Sequence, residues 1–180
     1  MRCTVQCVFL ILASAALLVA GQAGDGTPST PAQFAQQLDQ IARTASVMVD
    51  GDVCQKIGMG RSVNQQSFIQ VKKTLIRLSR LVSFPCDVNL WMPVSGSPDE
   101  VQVMIRNENE LSQFWVFGPR PQQMFPQMKE VLETGRRITV EDKPGWVSVL
   151  APVYNSLGDI VGLVEVVSKG SLICRCDQGF

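Results

Sequence analysis

Histidine is absent from the 180 residues of this chain. With it go the commonest general base and the commonest transition-metal ligand. Ser-His-Asp and Cys-His catalysis, histidine-containing zinc motifs and Cys-x-x-Cys-His haem attachment are all excluded. An excess of charge is missing too, since 16 Lys and Arg balance 16 Asp and Glu. No basic stripe stands out, so neither nucleic acid nor an acidic membrane surface is an implied partner. The acidic loop segments Asp50-Gly51-Asp52 and Glu141-Asp142 lack the spaced oxygens of a calcium loop. No nucleophile–base pair can be assembled, and the expectation is a noncatalytic protein with no metal and no cofactor. Long apolar runs are confined to the N-terminus. Residues 160–167 have only the length of a buried strand and are interrupted by Glu165, whereas a spanning helix needs about 20 apolar residues.

What is present at the N-terminus reads as an export signal, with a retained membrane anchor as the alternative. Arg2 precedes an uncharged run over residues 8–20, which exits through Ala20-Gly21-Gln22-Ala23. A basic start, an apolar stretch of about a dozen residues and a small-residue exit form the pattern of a cleavable signal peptide. Cys3 and Cys7 lie too early for lipoprotein attachment. The expected organisation is a signal peptide over 1–23, a Gly/Pro/Ser/Thr linker over 24–30 and one domain over 31–180. The protein is then periplasmic or secreted, with no stable membrane span after cleavage. Cys54, Cys86, Cys174 and Cys176 survive cleavage, and an even number in an exported chain reads as a disulfide framework. Pairing within Cys174-Arg175-Cys176 is strained. Cys54 and Cys86 are therefore expected each to take a tail cysteine. The alternative is a thiol redox or metal-handling protein using Cys174 and Cys176.

Along the domain the hydrophobic period changes from helical to extended. Thr30-Pro31 is an N-cap followed by proline at the first helical position. Phe34, Leu38, Ile41, Ala45 and Met48 make one stripe, and Gly51 offers a stop. A second helix is expected from a capping box at Ser62, with Phe68, Val71, Leu75, Leu78 and Val82 inward, ending before Pro85. Lys72, Lys73, Arg77 and Arg80 lie mostly off that stripe, as a solvated face. Alternation at Val88, Leu90, Met92 and Val94, then at Val101, Val103 and Ile105, gives two strands joined by a turn over 95–99. Residues 114–117 read as a short aromatic strand or rim. A third helix is expected from Pro121, with Met124, Phe125, Met128, Val131 and Leu132 inward and Gly135 at its end. Strands over 138–141, 146–153 and 160–169 complete the chain, the last two joined by a hairpin over 154–159. The fold class is α+β, an antiparallel sheet of about five strands with N-terminal helices packed on one face.

The run Gly145-Trp146-Val147-Ser148-Val149-Leu150-Ala151-Pro152-Val153-Tyr154-Asn155-Ser156-Leu157-Gly158-Asp159-Ile160-Val161-Gly162-Leu163-Val164-Glu165-Val166-Val167 resembles the end of a Cache domain. These are extracytoplasmic sensor modules of PAS-like fold, whose last strands run through an apolar-Pro-apolar segment, a polar turn with Gly and an apolar-Gly-apolar strand. In that pattern Asn155 and Gly158 make the turn, and Gly162 lets another backbone or a ligand approach. The close match covers about 25 residues, and the order of elements agrees over the rest. The family's amino-acid-binding signature and its receptor architecture are not recognisable here. The resemblance thus implies a freestanding PAS-like ligand-binding fold and no particular ligand.

In such a fold the pocket lies between the sheet and the segment linking its second and third strands. Trp115, Phe117, Met124, Trp146, Ser148 and Tyr154 are candidates to line it, unless the aromatics are simply core. Arg106, at a strand end, has the bidentate geometry for a carboxylate. Glu165 shares a strand face with Leu163 and Val167. On a pocket face it binds an amine or acts as a titrating acid with a raised pKa, under helices it pairs with a Lys or Arg, and otherwise it is simply exposed. The functional expectation is a small metabolite of carboxylate or amino-acid type and an envelope protein partner. A homodimer formed through the first helix, with no ligand and a filled pocket, is the alternative.

Overall fold

The computed structural model describes residues 30–58, 65–116 and 120–170. The expected signal peptide, most of the linker, the capping box at Ser62, Phe117, Cys174 and Cys176 lie outside those residues. Among the described residues, four helices, α1 (Pro31–Met48), α2 (Gly51–Gly58), α3 (Gln65–Ser79) and α4 (Pro126–Thr134), accompany six strands. The strands are β1 (Cys86–Val94), β2 (Ser97–Ile105), β3 (Gln122–Gln123), β4 (Ile138–Val140), β5 (Trp146–Tyr154) and β6 (Ile160–Lys169). They form one antiparallel sheet in the order β3-β2-β1-β6-β5-β4. The fold is α+β with the N-terminal helices on one face, as the periodicity implies. The sixth strand is the two-residue β3 at the edge.

Local chemistry accounts for most of the element ends. The Gln33 amide donates to Thr30 Oγ1 at 3.2 Å, capping α1. Phe34, Leu38, Ile41, Ala42 and Ala45 are buried, but Met48 at the end of the stripe is exposed. The chain does not stop at Gly51. Asp50 caps a further short helix, accepting from the Val53 amide at 3.1 Å, and Gly51 begins α2. Glycine is needed there because any Cβ would overlap the Tyr154 carbonyl. The turn between β1 and β2 is tighter than expected, two residues long with Gly96 at φ 85°, so Ser97-Pro98-Asp99 already belongs to the strand. Residues 114–116 form no strand. The expected helix at Pro121 starts instead at Pro126, the first helical position, because residues 122 and 123 pair with Val101 and Glu100. Gly135 ends that helix in the left-handed region.

The sheet separates two apolar clusters. On one face, α1, α2 and α3 pack on Cys86, Val88, Leu90, Val149, Ala151, Val153, Val164 and Val166. On the other, Trp91, Leu150 and Leu163 meet Met128 and Val131 of α4, with Phe114 and Val140. Both faces of β1 and β6 are therefore covered, which is why neither shows a solvent-facing alternation. Fully burying each aliphatic side chain contributes about 1.5–3 kcal/mol. Gly162 lets β6 lie close to β1, since an added Cβ would stand 2.7 Å from the Trp91 carbonyl oxygen. A Gly162→Ala variant should lose about 1–3 kcal/mol, because backbone is the obstacle and cannot rotate away. Asp50→Ala, which removes only a helix cap, should lose about 1 kcal/mol. Urea unfolding of the two variants checks both values, with unchanged m expected.

Candidate functional site

The second face of the sheet carries a polar row that the two apolar clusters do not need. Asn89 of β1 stands opposite Glu165 of β6, and Asp87 opposite Val167. Leu150 is opposite Glu165 on the β5 side, and Ser148 opposite Val167. Side-chain alternation puts Asp87, Asn89, Trp91, Ser148 and Glu165 on this one face. Asp87, Asn89, Ser148 and Glu165 are all buried. What buries them is the chain between β2 and β3, where residues 107–116 cross the sheet without regular structure as a strap.

Glu165 is at the centre, with no exposed surface. Its Oε1 accepts from the Gln113 amide at 2.9 Å and from Ser148 Oγ at 3.1 Å. Its Oε2 accepts from Ser112 Oγ at 2.6 Å, Trp91 Nε1 at 3.1 Å and Asn89 Nδ2 at 3.4 Å. Hydrogen-bond direction follows from the second partners of the serines. Ser148 Oγ receives Gln113 Nε2 at 3.0 Å, and Ser112 Oγ receives the amides of Phe114 and Trp115 at 3.0 and 3.1 Å. Their hydroxyl protons are left for the carboxylate. Five donors from β1, β5 and the strap thus converge on one side chain. None of the five is a cation.

The neighbouring polar side chains tie down the strap itself. Asp87 accepts from Asn109 Nδ2 at 2.8 Å and the Leu111 amide at 2.8 Å. Asn89 donates to the Leu111 carbonyl at 2.7 Å and accepts from the Asn107 amide at 3.1 Å. Gln113 reaches past Glu165 to the Val140 carbonyl at 2.9 Å. Where the strap begins and ends, the Arg106 guanidinium lies 4.3 Å over the Trp115 ring, and it approaches Glu110 at 3.7 Å. The space bounded by Asn89, Trp91, Arg106, Ser112 and Trp115 has no volume that a water molecule could enter. Its own side chains fill it.

The candidates from the sequence divide accordingly. Ser148 and Glu165 meet directly, and Arg106 and Trp115 close the strap beside them. Trp146 and Tyr154 stand at opposite ends of β5 and do not join this cluster. Trp146 lies 5.7 Å from Lys169 Nζ, and the Tyr154 hydroxyl donates to the Gly135 carbonyl at 3.4 Å. Met124 packs against the second apolar cluster. Sequence reasoning missed Asp87, Asn89, Trp91, Ser112 and Gln113. The alternation of Asp87 and Asn89 with Val88 and Leu90 was visible as a strand, but it gives no sign that the polar side would be covered. Cys54 and Cys86 are buried free thiols, with the tail cysteines expected to pair with them outside the described residues. Burial pushes both up to about 12, far from the range of a reactive thiolate. No cluster of metal-ligating side chains occurs among the described residues. No protein-family model matches the chain, and no curated protein matches its sequence.

Burial pushes the Glu165 carboxyl above its ordinary value of 4.5, against the downward pull of its hydrogen bonds from Ser112, Gln113, Trp91 and Ser148. A carboxyl with a raised folded pKa binds its proton more tightly folded than unfolded. Its contribution to stability is therefore full below 4.5 and declines as pH rises through the folded value. Glu165→Gln removes that titration. The stability of the native protein relative to this variant should fall across that window and be flat on either side, as read by urea melts at several pH values. Glu165→Ala, which takes the shared acceptor from five donors in a buried site, should cost at least about 3 kcal/mol at any pH.

Proposed function

We propose that this chain is a noncatalytic exported domain of the Cache-like kind, acting through its surface on a protein partner, a second copy of itself included. The filled compartment carries this reading. Where a sensor of this architecture would hold a small molecule, the Glu165 carboxylate and its five donors occupy the space. The export signal and the Cache-like hairpin support the class. The end of α1 and the β5–β6 hairpin supply a surface, since Val47, Met48 and Leu157 are all exposed. Asp52 of α2 accepts from Ser156 of the hairpin at 3.2 Å, which ties these elements together. A dimer formed by this end of the domain should appear in sedimentation velocity and dissociate in a Val47→Asp/Leu157→Asp variant. A protein that remains monomeric at every concentration overturns self-association.

A second reading is favoured by the polar lining, because a purely apolar face would bury at lower cost. In that reading the strap lifts to admit a carboxylate or amino acid beside Arg106. A thermal-shift panel of carboxylates, amino acids, amines and purines separates the two. Ligand at a hundred times its Kd adds about 2.7 kcal/mol of stability. The surface reading expects no shift from any of them. A shift that Arg106→Ala abolishes establishes the ligand-binding reading instead.

A further inference from the structure

We propose that residues 107–116 are a latched strap that lifts from the sheet as one unit, with Glu165 as the latch. The inference does not depend on whether the partner is a protein or a small molecule. Two independent observations carry it, one concerning attachment and the other strain.

The attachment is by side chains and not by a strand ladder. The amides of Asn107, Asn109, Leu111 and Gln113 donate to Asn89, Asp87, Asp87 and Glu165 in turn. All three acceptor residues project from β1 and β6. The amides of Phe114 and Trp115 are held by Ser112 Oγ, which itself donates to Glu165. Losing Glu165 therefore loosens three strap amides together, that of Gln113 directly and those of Phe114 and Trp115 through Ser112. The ends of the strap are already gathered by Arg106 over Trp115, so lifting it need not open the neck of the loop. β1 and β6 pair directly with each other, and no strap backbone takes part in that ladder. A lifted strap would uncover the Trp91 indole and the Asn89, Ser148 and Glu165 side chains without melting the sheet.

The strain is at Glu110. Its φ of 54° is the one positive value outside glycine among the described residues. A glutamate side chain gains nothing from that left-handed conformation, which persists only where the surroundings enforce it. Glu110 lies in the middle of the strap, with most of its surface in solvent and a 3.7 Å ion pair to Arg106 as its local compensation. An exposed pair of that kind contributes little. The closed strap thus holds a strained residue that lifting would relax, while the latch opposes it.

Amide hydrogen exchange on the full chain tests this, because most strap amides report on a named acceptor. In the native protein the amides of Asn109, Leu111, Gln113, Phe114 and Trp115 should exchange at a common opening free energy, below that of β1 and β6. Glu165→Gln should speed the whole set by about tenfold or more and leave the amides of Val164 and Val166 unchanged. Ser112→Ala makes the same comparison with the buried carboxylate in place, should Glu165→Gln fold poorly. Glu110→Gly should slow the same set, since glycine adopts this φ without strain. Strap amides that exchange only with the sheet, that respond to the variants one by one, or that are not slowed by Glu110→Gly overturn the proposal.

Discussion

A carboxylate sealed from water without a cationic partner is the constraint around which this domain is arranged. Coulombic compensation is unavailable to Glu165, so its charge can be accommodated only by hydrogen-bond donors with fixed directions. Those donors cannot come from β6 itself. They come from the indole and amide of β1, a hydroxyl of β5, and a hydroxyl and a main-chain amide of the strap. Three segments distant in sequence therefore have to arrive together. The register of β1 against β6, which sets Asn89 opposite Glu165, is specified by this requirement as well as by the apolar pattern. A slip by one residue would turn Glu165 into the helix-covered face among Val88, Val149 and Val166.

The two faces of the sheet consequently do different work. The helix-covered face is apolar, and its stability comes from packing area. The strap-covered face adds polar groups whose value lies in specificity, since each of them is costly unless its partner is present. Its second tier follows the same logic. Asp87 and Asn89 satisfy the backbone of a crossing segment that has no ladder of its own, and Gln113 links that segment to the edge of β4 through the Val140 carbonyl. The crossing segment is thus held in place by sheet side chains, and in turn excludes water from them.

Much of the fold was legible in the sequence, and the reasons are local. Thr30-Pro31 announces α1, and the limits of β6 follow from the polar turn before it and Gly170 after it. Gly162 was expected where backbones approach, and the Trp91 carbonyl is what approaches. The misreadings also have physical causes. Gly51 was read as the stop of one helix when it begins the next, capped by Asp50, because eight residues of α2 are too few to show a period. Pro121 and Pro126 are equally fit to open a helix, and only the pairing of Gln122 and Gln123 with β2 decides between them. Glu165 drew attention as a charge within an apolar strand. Of its partners only Ser148 did, because Ser112 and Gln113, like Asn107 and Asn109 beside them, look like any polar loop until the loop is folded over the sheet.

Glu165 and the strap stabilise each other directly. A double-mutant cycle of Glu165→Gln and Ser112→Ala, read by urea unfolding, measures that coupling with the separate cost of each substitution cancelled. The 2.6 Å contact between the two side chains predicts a coupling of about 1–2 kcal/mol. Effects that add to within about 0.3 kcal/mol would mean that the carboxylate and the strap are held independently, and would contradict the account.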